Sequence, residues 1–248
     1  MLALLFAVSL ARTPIDLAVK VDAIERRAVV YPSTVTNKSE PLVFVFHGFT
    51  GFAKQAAFSY RVHDVWPEAT VVYPQGLEVS MLGTKGPGWQ FAAGQQGDRD
   101  LKFYDALLSK VEHEYKVDSK RVYSCGMSNG AIFTYLLIAK RGDTLAAAAP
   151  VAGFAMPAFA SAPATPILIT HGTKDPLVPF RAAERGRDTA LKNNGAGATT
   201  KEWAPGYLTY TPVRNHNDVV WHVHEGGHTW PAGTTEAIVR FFKEHARP

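Results

Sequence analysis

The residues best placed by type and spacing to do chemistry are Gly126-Met127-Ser128-Asn129-Gly130. This is G-x-S-x-G, set between a strand-like segment, Val122 to Cys125, and a helix-like segment, Asn129 to Lys140. A strand that turns abruptly into a helix forces the serine into a strained conformation, and glycines two before and two after let neighbouring backbone come close. The serine oxygen then stands exposed at the carboxyl end of a sheet, beside a helix N-terminus. A serine at its ordinary pKa is a poor nucleophile and needs a base and an orienting acid.

In a sheet of this kind the partners follow in the order Ser, Asp or Glu, His. The run Pro166 to Thr170 reads as a strand and leads into His171-Gly172-Thr173-Lys174-Asp175, so Asp175 lies just past a strand end. Asp218 is the competing acid, but it precedes a strand, whereas functional side chains gather at strand carboxyl ends. The base is expected at His228 in Gly226-Gly227-His228-Thr229-Trp230-Pro231, after a late strand and before a closing helix. The chemistry is acyl transfer through Ser128, which needs neither cofactor nor metal. An oxyanion would be held by the backbone N–H of Asn129 and by one from His47-Gly48-Phe49-Thr50-Gly51, with Phe49 the first choice and Thr50 the next. His47 is expected to hold that turn. Trp89, Trp230, Met127 and Thr50 lie in loops expected near the strand ends, and with Phe49 and Phe52 are candidates for a substrate wall.

A metal-dependent hydrolase is a rival reading, because His222, His224 and His228 give H-x-H-x-x-x-H, and the first two share a strand face. A second rival is a non-catalytic, carbohydrate-binding protein that keeps the fold.

These groups need a scaffold of alternating strands and helices. Strands are expected at Arg27–Tyr31, Pro41–Phe46, Thr70–Tyr73, Val122–Cys125, Ala147–Ala152, Pro166–Thr170 and Val219–Val223. Helices are expected at Asp98–Tyr115, Asn129–Lys140, Phe180–Lys192 and Thr235–His245, the last capped by Thr234 or Thr235. Asp98–Tyr115 shows the stripe Leu101, Tyr104, Leu108, Val111 and Tyr115. This alternation predicts an α/β fold, a mostly parallel sheet with helices on both faces. Gly76 to Gly97, with six glycines, and Phe154 to Thr165 read as long loops.

The composition agrees. Of 248 residues 46% are apolar and 19% charged, enough for a buried core. A net charge of +4 without a basic run argues against nucleic-acid binding. The single Cys125 excludes an intrachain disulfide. No apolar stretch is long enough to span a membrane. Leu2 to Leu10 is a short apolar run with small residues at Ser9 and Ala11, read as the end of a secretory signal. The expected organisation is a signal remnant at 1–11, one catalytic domain over 12–248, and a secreted protein.

Taken in order, H-G-F-T-G, V-V-Y-P-Q-G-L, G-M-S-N-G, H-G-T-K-D-P-L-V-P and G-G-H-T-W-P resemble the polyhydroxybutyrate depolymerase and feruloyl esterase-like family of α/β-hydrolases. The resemblance runs from about Pro41 to the closing helix. It implies an α/β-hydrolase fold, secretion and a serine esterase activity, here expected on feruloyl or acetyl-polysaccharide esters or on hydroxyalkanoate polyester, and 248 residues leave little for a large lid domain. It maps nucleophile, acid and base onto Ser128, Asp175 and His228. Relatives often carry a cysteine just after H-G; Phe49 stands there in this chain.

Overall fold

The computed structural model describes residues 12–35, 38–81, 83–212 and 217–248. The signal reading of Leu2–Leu10 therefore lies outside the described residues.

In chain order the strands are β1 (Ile15–Val21), β2 (Ile24–Tyr31), β3 (Glu40–Phe46), β4 (Thr70–Pro74), β5 (Leu77–Met81), β6 (Thr84–Gly88), β7 (Val117–Met127), β8 (Ala147–Val151), β9 (Ile167–Gly172), β10 (Ala196–Ala204), β11 (Tyr207–Pro212) and β12 (Val219–His224). The helices are α1 (Ala53–Tyr60), α2 (Val62–Val65), α3 (Arg99–Glu114), α4 (Asn129–Arg141), α5 (Phe180–Asn194) and α6 (Thr234–Lys243). Ten strands form one sheet in the order β1-β2-β4-β3-β7-β8-β9-β12-β11-β10. The inner run from β4 to β12 is parallel, and the pairs at both margins are antiparallel.

The parallel strands are apolar throughout because both faces are covered. Phe44 and Phe46 of β3 point into a core shared with α3, α4 and α5. Val43 and Val45 of the same strand point the other way, into a core shared with α1, α2 and α6. Cys125 is buried in that second core. Among the described residues no helix is long and apolar enough to cross a membrane.

Three expectations need correction. Gly76–Gly97 is not wholly loop, since β5 and β6 make an antiparallel hairpin within it. The closing helix is capped by Gly233, at φ 80°, rather than by a threonine side chain. The outer strands β1, β10 and β11 add to the expected set. Exposed residues dominate β10, so its sequence carries no buried-face signal, whereas β1 does alternate outward and inward.

Candidate active site

Ser128 sits between β7 and α4 with φ 57° and ψ −118°, the strained turn that G-x-S-x-G anticipates. A non-glycine residue at such angles costs about 1–3 kcal/mol. The flanking glycines are there for space. A Cβ on Gly126 would lie 2.7 Å from the Gly130 carbonyl oxygen, and one on Gly130 would collide with the carbonyl oxygens of Phe46 and His47. The turn is tied to the next strand by the Ser128 N–H, which donates to Val151 O at 2.9 Å.

Asp175 and His228 meet, although 53 residues separate them. His228 Nδ1 lies 2.7 Å from Asp175 Oδ2. Asp175 Oδ1 accepts the N–H groups of Leu177 and Val178, each at 2.9 Å. Burial works to raise the Asp175 pKa, but the Val178 N–H, the His228 ring and the Leu177 N–H together hold it below the usual carboxylate value. The acid is therefore charged at neutral pH. It fixes the proton on His228 Nδ1 and leaves Nε2 as the basic nitrogen. The rival acid, Asp218, instead pairs with His245 at 3.2 Å.

Sequence reasoning assigned His171 no role of its own, and the structure supplies one. Its ring is fully buried, with Nε2 2.9 Å from Val178 O and 3.5 Å from Asp175 Oδ2. Because a carbonyl can only accept, Nε2 carries the proton. His171 thus pins the 175–178 turn whose amides hold the acid. The signal was its place at the head of H-G-T-K-D-P.

The loop after β3 lies against the serine, since a Cβ on Gly48 would come 3.5 Å from Ser128 Cβ. His47 anchors this loop. It is buried, its Nδ1 lies 2.7 Å from Gly48 O, and its Nε2 accepts the Gly76 N–H at 3.0 Å. Burial pushes its pKa down to about 4, so it is neutral and unsuited to act as a base here. Thr50, the second choice for an oxyanion donor, spends its N–H on Pro87 O at 2.8 Å. Gly51 spends its N–H on Gly48 O at 3.0 Å, and Phe49 is the candidate donor kept for this loop. The Asn129 N–H belongs to the first turn of α4, where helix amides have no intrahelical acceptor. The Asn129 side chain also braces a neighbouring loop. Its Oδ1 accepts the Trp89 N–H at 2.7 Å, and its Nδ2 donates to Trp89 O at 3.1 Å.

The expected substrate wall divides. Trp89 is fully buried; its indole donates to His47 O at 2.9 Å and stacks on Phe133. It is a prop beneath the loop and cannot line an open site. Trp230 is half-buried, stacked on Tyr60 at 4.2 Å, with its N–H on Thr235 Oγ1. Met127 is half-buried beside Ser128, and Thr50 is exposed. His222 stacks on Tyr207 at 3.9 Å, while His224 Nδ1 accepts the Gly226 N–H. His228 is committed to Asp175, so the three histidines do not form one ligand set. Among the described residues no three His, Cys, Asp or Glu side chains are arranged to hold a metal.

Known proteins agree with this architecture. The Dienelactone hydrolase family matches residues 89–203, a span that includes Ser128 and Asp175 and stops short of His228. Feruloyl esterase D of Neurospora crassa is 28% identical over 172 residues, covering 66% of this chain and 55% of that protein. A bifunctional acetylxylan esterase/xylanase of Neocallimastix patriciarum is 32% identical over 117 residues, covering 46% of this chain and 16% of that one. The chain thus spans about half of the first and a small part of the second. An acetyl xylan esterase from Aspergillus awamori superposes with a TM-score of 0.71 at 15% identity, covering 93% of this chain and 99% of that one. A ferulic acid esterase from Anaeromyces mucronatus superposes at 0.62 with 17% identity, covering 94% and 90%. The chain has the α/β-hydrolase fold of these structures and is similar in sequence to feruloyl esterases over part of its length.

Proposed function

We propose that the protein is a serine carboxylesterase acting on feruloyl or acetyl esters borne on plant polysaccharide. The observation that carries this is the short His228–Asp175 hydrogen bond on loops at the same sheet end as the strained Ser128 turn. His228 Nε2 takes the proton of Ser128 Oγ as the oxygen attacks the ester carbonyl. Asp175 orients the imidazole and stabilises its cation. The N–H groups of Asn129 and Phe49 hold the oxyanion, and loss of one such donor costs about 2.7–4 kcal/mol of barrier. His228 then protonates the leaving alcohol, and water repeats the sequence to release the acid. The names of the relatives support the choice of acyl group. The polyester reading shares this mechanism and differs only in what fills the site.

We also infer export, from the Leu2–Leu10 run. The Arg12 guanidinium is docked on the carbonyls of His63, Tyr31, Pro32 and Ala69, so cleavage just before it leaves these contacts intact. N-terminal sequencing of exported protein tests this point; a start at Met1 refutes it.

The test of function is a paired assay of wild type and Ser128→Ala on p-nitrophenyl acetate, methyl ferulate, acetylated xylan and a hydroxybutyrate oligomer. Hydrolysis of methyl ferulate or acetylated xylan that vanishes in the variant supports the reading. A preference for the hydroxybutyrate oligomer moves it to polyester. Equal rates in both proteins overturn the role of Ser128.

A further inference from the structure

Three cavities lie beside α1 and share lining residues from one to the next. The first, about 470 Å³, is lined by Phe52, Lys54, Gln75 and Asp16 among others. The second, about 590 Å³, shares Asp16 and Lys54 with it and adds Phe58, Arg61 and Asp64. The third, about 450 Å³, shares Arg61 and Asp64 with the second and ends on Tyr60 and Trp230. Each end lies close in sequence to a candidate site residue. Phe52 follows the oxyanion loop, and Trp230 stands two residues past His228.

The lining is unusual for a surface with no partner. Phe58 is 83% exposed and Phe52 56% exposed. Buried contacts explain neither ring. Trp230 is held rigidly by Tyr60 and Thr235. Along the lining the charges balance: Asp16, Asp64 and Glu236 against Arg27, Lys54 and Arg61, with Arg61 Nε 2.8 Å from Asp64 Oδ2. His63 adds no charge at neutral pH, because burial pushes its pKa down to about 4.

We propose that this belt is a binding track for a neutral polysaccharide chain. Aromatic faces take the apolar faces of sugar rings, and the interleaved charged side chains take the hydroxyls. A polyester offers only acceptors along its length and would desolvate the carboxylates of Asp16 and Asp64 without giving them a donor. A net-charged polymer would meet as many like charges as opposite ones. Held along the track, one polymer presents its pendant groups to the site at high effective concentration. This last step rests on the esterase reading; the track itself does not.

The test is native affinity electrophoresis through gels containing soluble, de-esterified arabinoxylan, with wild type, Phe58→Ala and Phe58→Trp. The exposure of Phe58 makes both substitutions safe for the fold, which melting curves check. Wild type and Phe58→Trp are expected to be retarded, and Phe58→Ala to bind about tenfold more weakly, an ordinary loss for an aromatic contact. The ratio of kcat/KM on feruloylated arabinoxylan to that on methyl ferulate is expected to fall about tenfold in Phe58→Ala. An unretarded wild type, or equal retardation of the alanine variant, overturns the track. So does binding to hydroxybutyrate particles in place of arabinoxylan, or self-association that Phe58→Ala abolishes. If neither ester is turned over, the esterase reading fails, while the gel, which needs no turnover, still decides the track.

Discussion

Replacing Asp175 with asparagine is expected to abolish nearly all turnover in a protein that stays folded. The carboxylate is gripped on two sides, by the amides of Leu177 and Val178 at Oδ1 and by the His228 ring at Oδ2. An asparagine must give an oxygen to the two amides, so its NH2 faces the imidazole. Two donors cannot face one another. The ring therefore shifts its proton, Nδ1 accepting and Nε2 keeping the hydrogen. Nε2 can then no longer take the proton of Ser128. The same change in a serine protease triad costs about 10⁴-fold in kcat, or about 5 kcal/mol at roughly 1.36 kcal/mol per tenfold. The assay is kcat on p-nitrophenyl acetate at saturation, with circular dichroism to verify the fold. A loss smaller than tenfold in folded protein would refute the argument, because it would mean that Asp175 does not set the tautomer.

Three further outcomes follow from the same contacts. Arg26 and Asp100 pair at 2.9 Å with both side chains almost wholly buried, so Arg26→Met takes the cation from a buried carboxylate; the expected cost is about 3–5 kcal/mol, read as a Tm lower by roughly 6–20 °C, and an unchanged Tm would contradict it. Gly130→Ala drives a methyl group into the carbonyls of Phe46 and His47; it is expected to give insoluble or inactive protein, and a soluble variant of full activity would contradict the packing described. Burial pushes His47, His63 and His222 down to about 4 from an ordinary 6.5. The unfolded chain therefore gains protons that the native state refuses, and stability is lost as pH falls from 6.5 towards 4. Thermal melts across that range check it, and a flat Tm would contradict it.

The parallel strands and α3 were legible because both faces of the sheet are buried and α3 carries an apolar stripe; α4 is buried nearly all round and α5 buries only small or polar residues, so their signal lay in their place between strands. The meeting of Asp175 with His228 was legible for a different reason: strand ends place loops at one side of the sheet, and chain order does the rest. Trp89 was misread because composition marks its segment as a glycine-rich loop. Nothing local shows that Asn129 clasps its backbone and folds the indole inward. α1 was missed because Ala53–Tyr60 is short, has no side-chain cap and leaves Phe58 outside. His171 was hidden by its neighbours: its importance lies in Val178 O, seven residues on, and a hydrogen bond has no sequence signature.

The strand order has a kinetic consequence. Ser128 follows β7, Asp175 follows β9 and His228 follows β12, and these strands lie in the order β7-β8-β9-β12. The site exists only after β12 has docked on β9, which joins Val219 to Ile167 across a long stretch of chain. Local helices form in microseconds, whereas such distant parallel pairings are slow. On refolding, helical ellipticity is therefore expected to return well before hydrolysis. Turnover, rather than secondary structure, is the clock that times the last step of assembly.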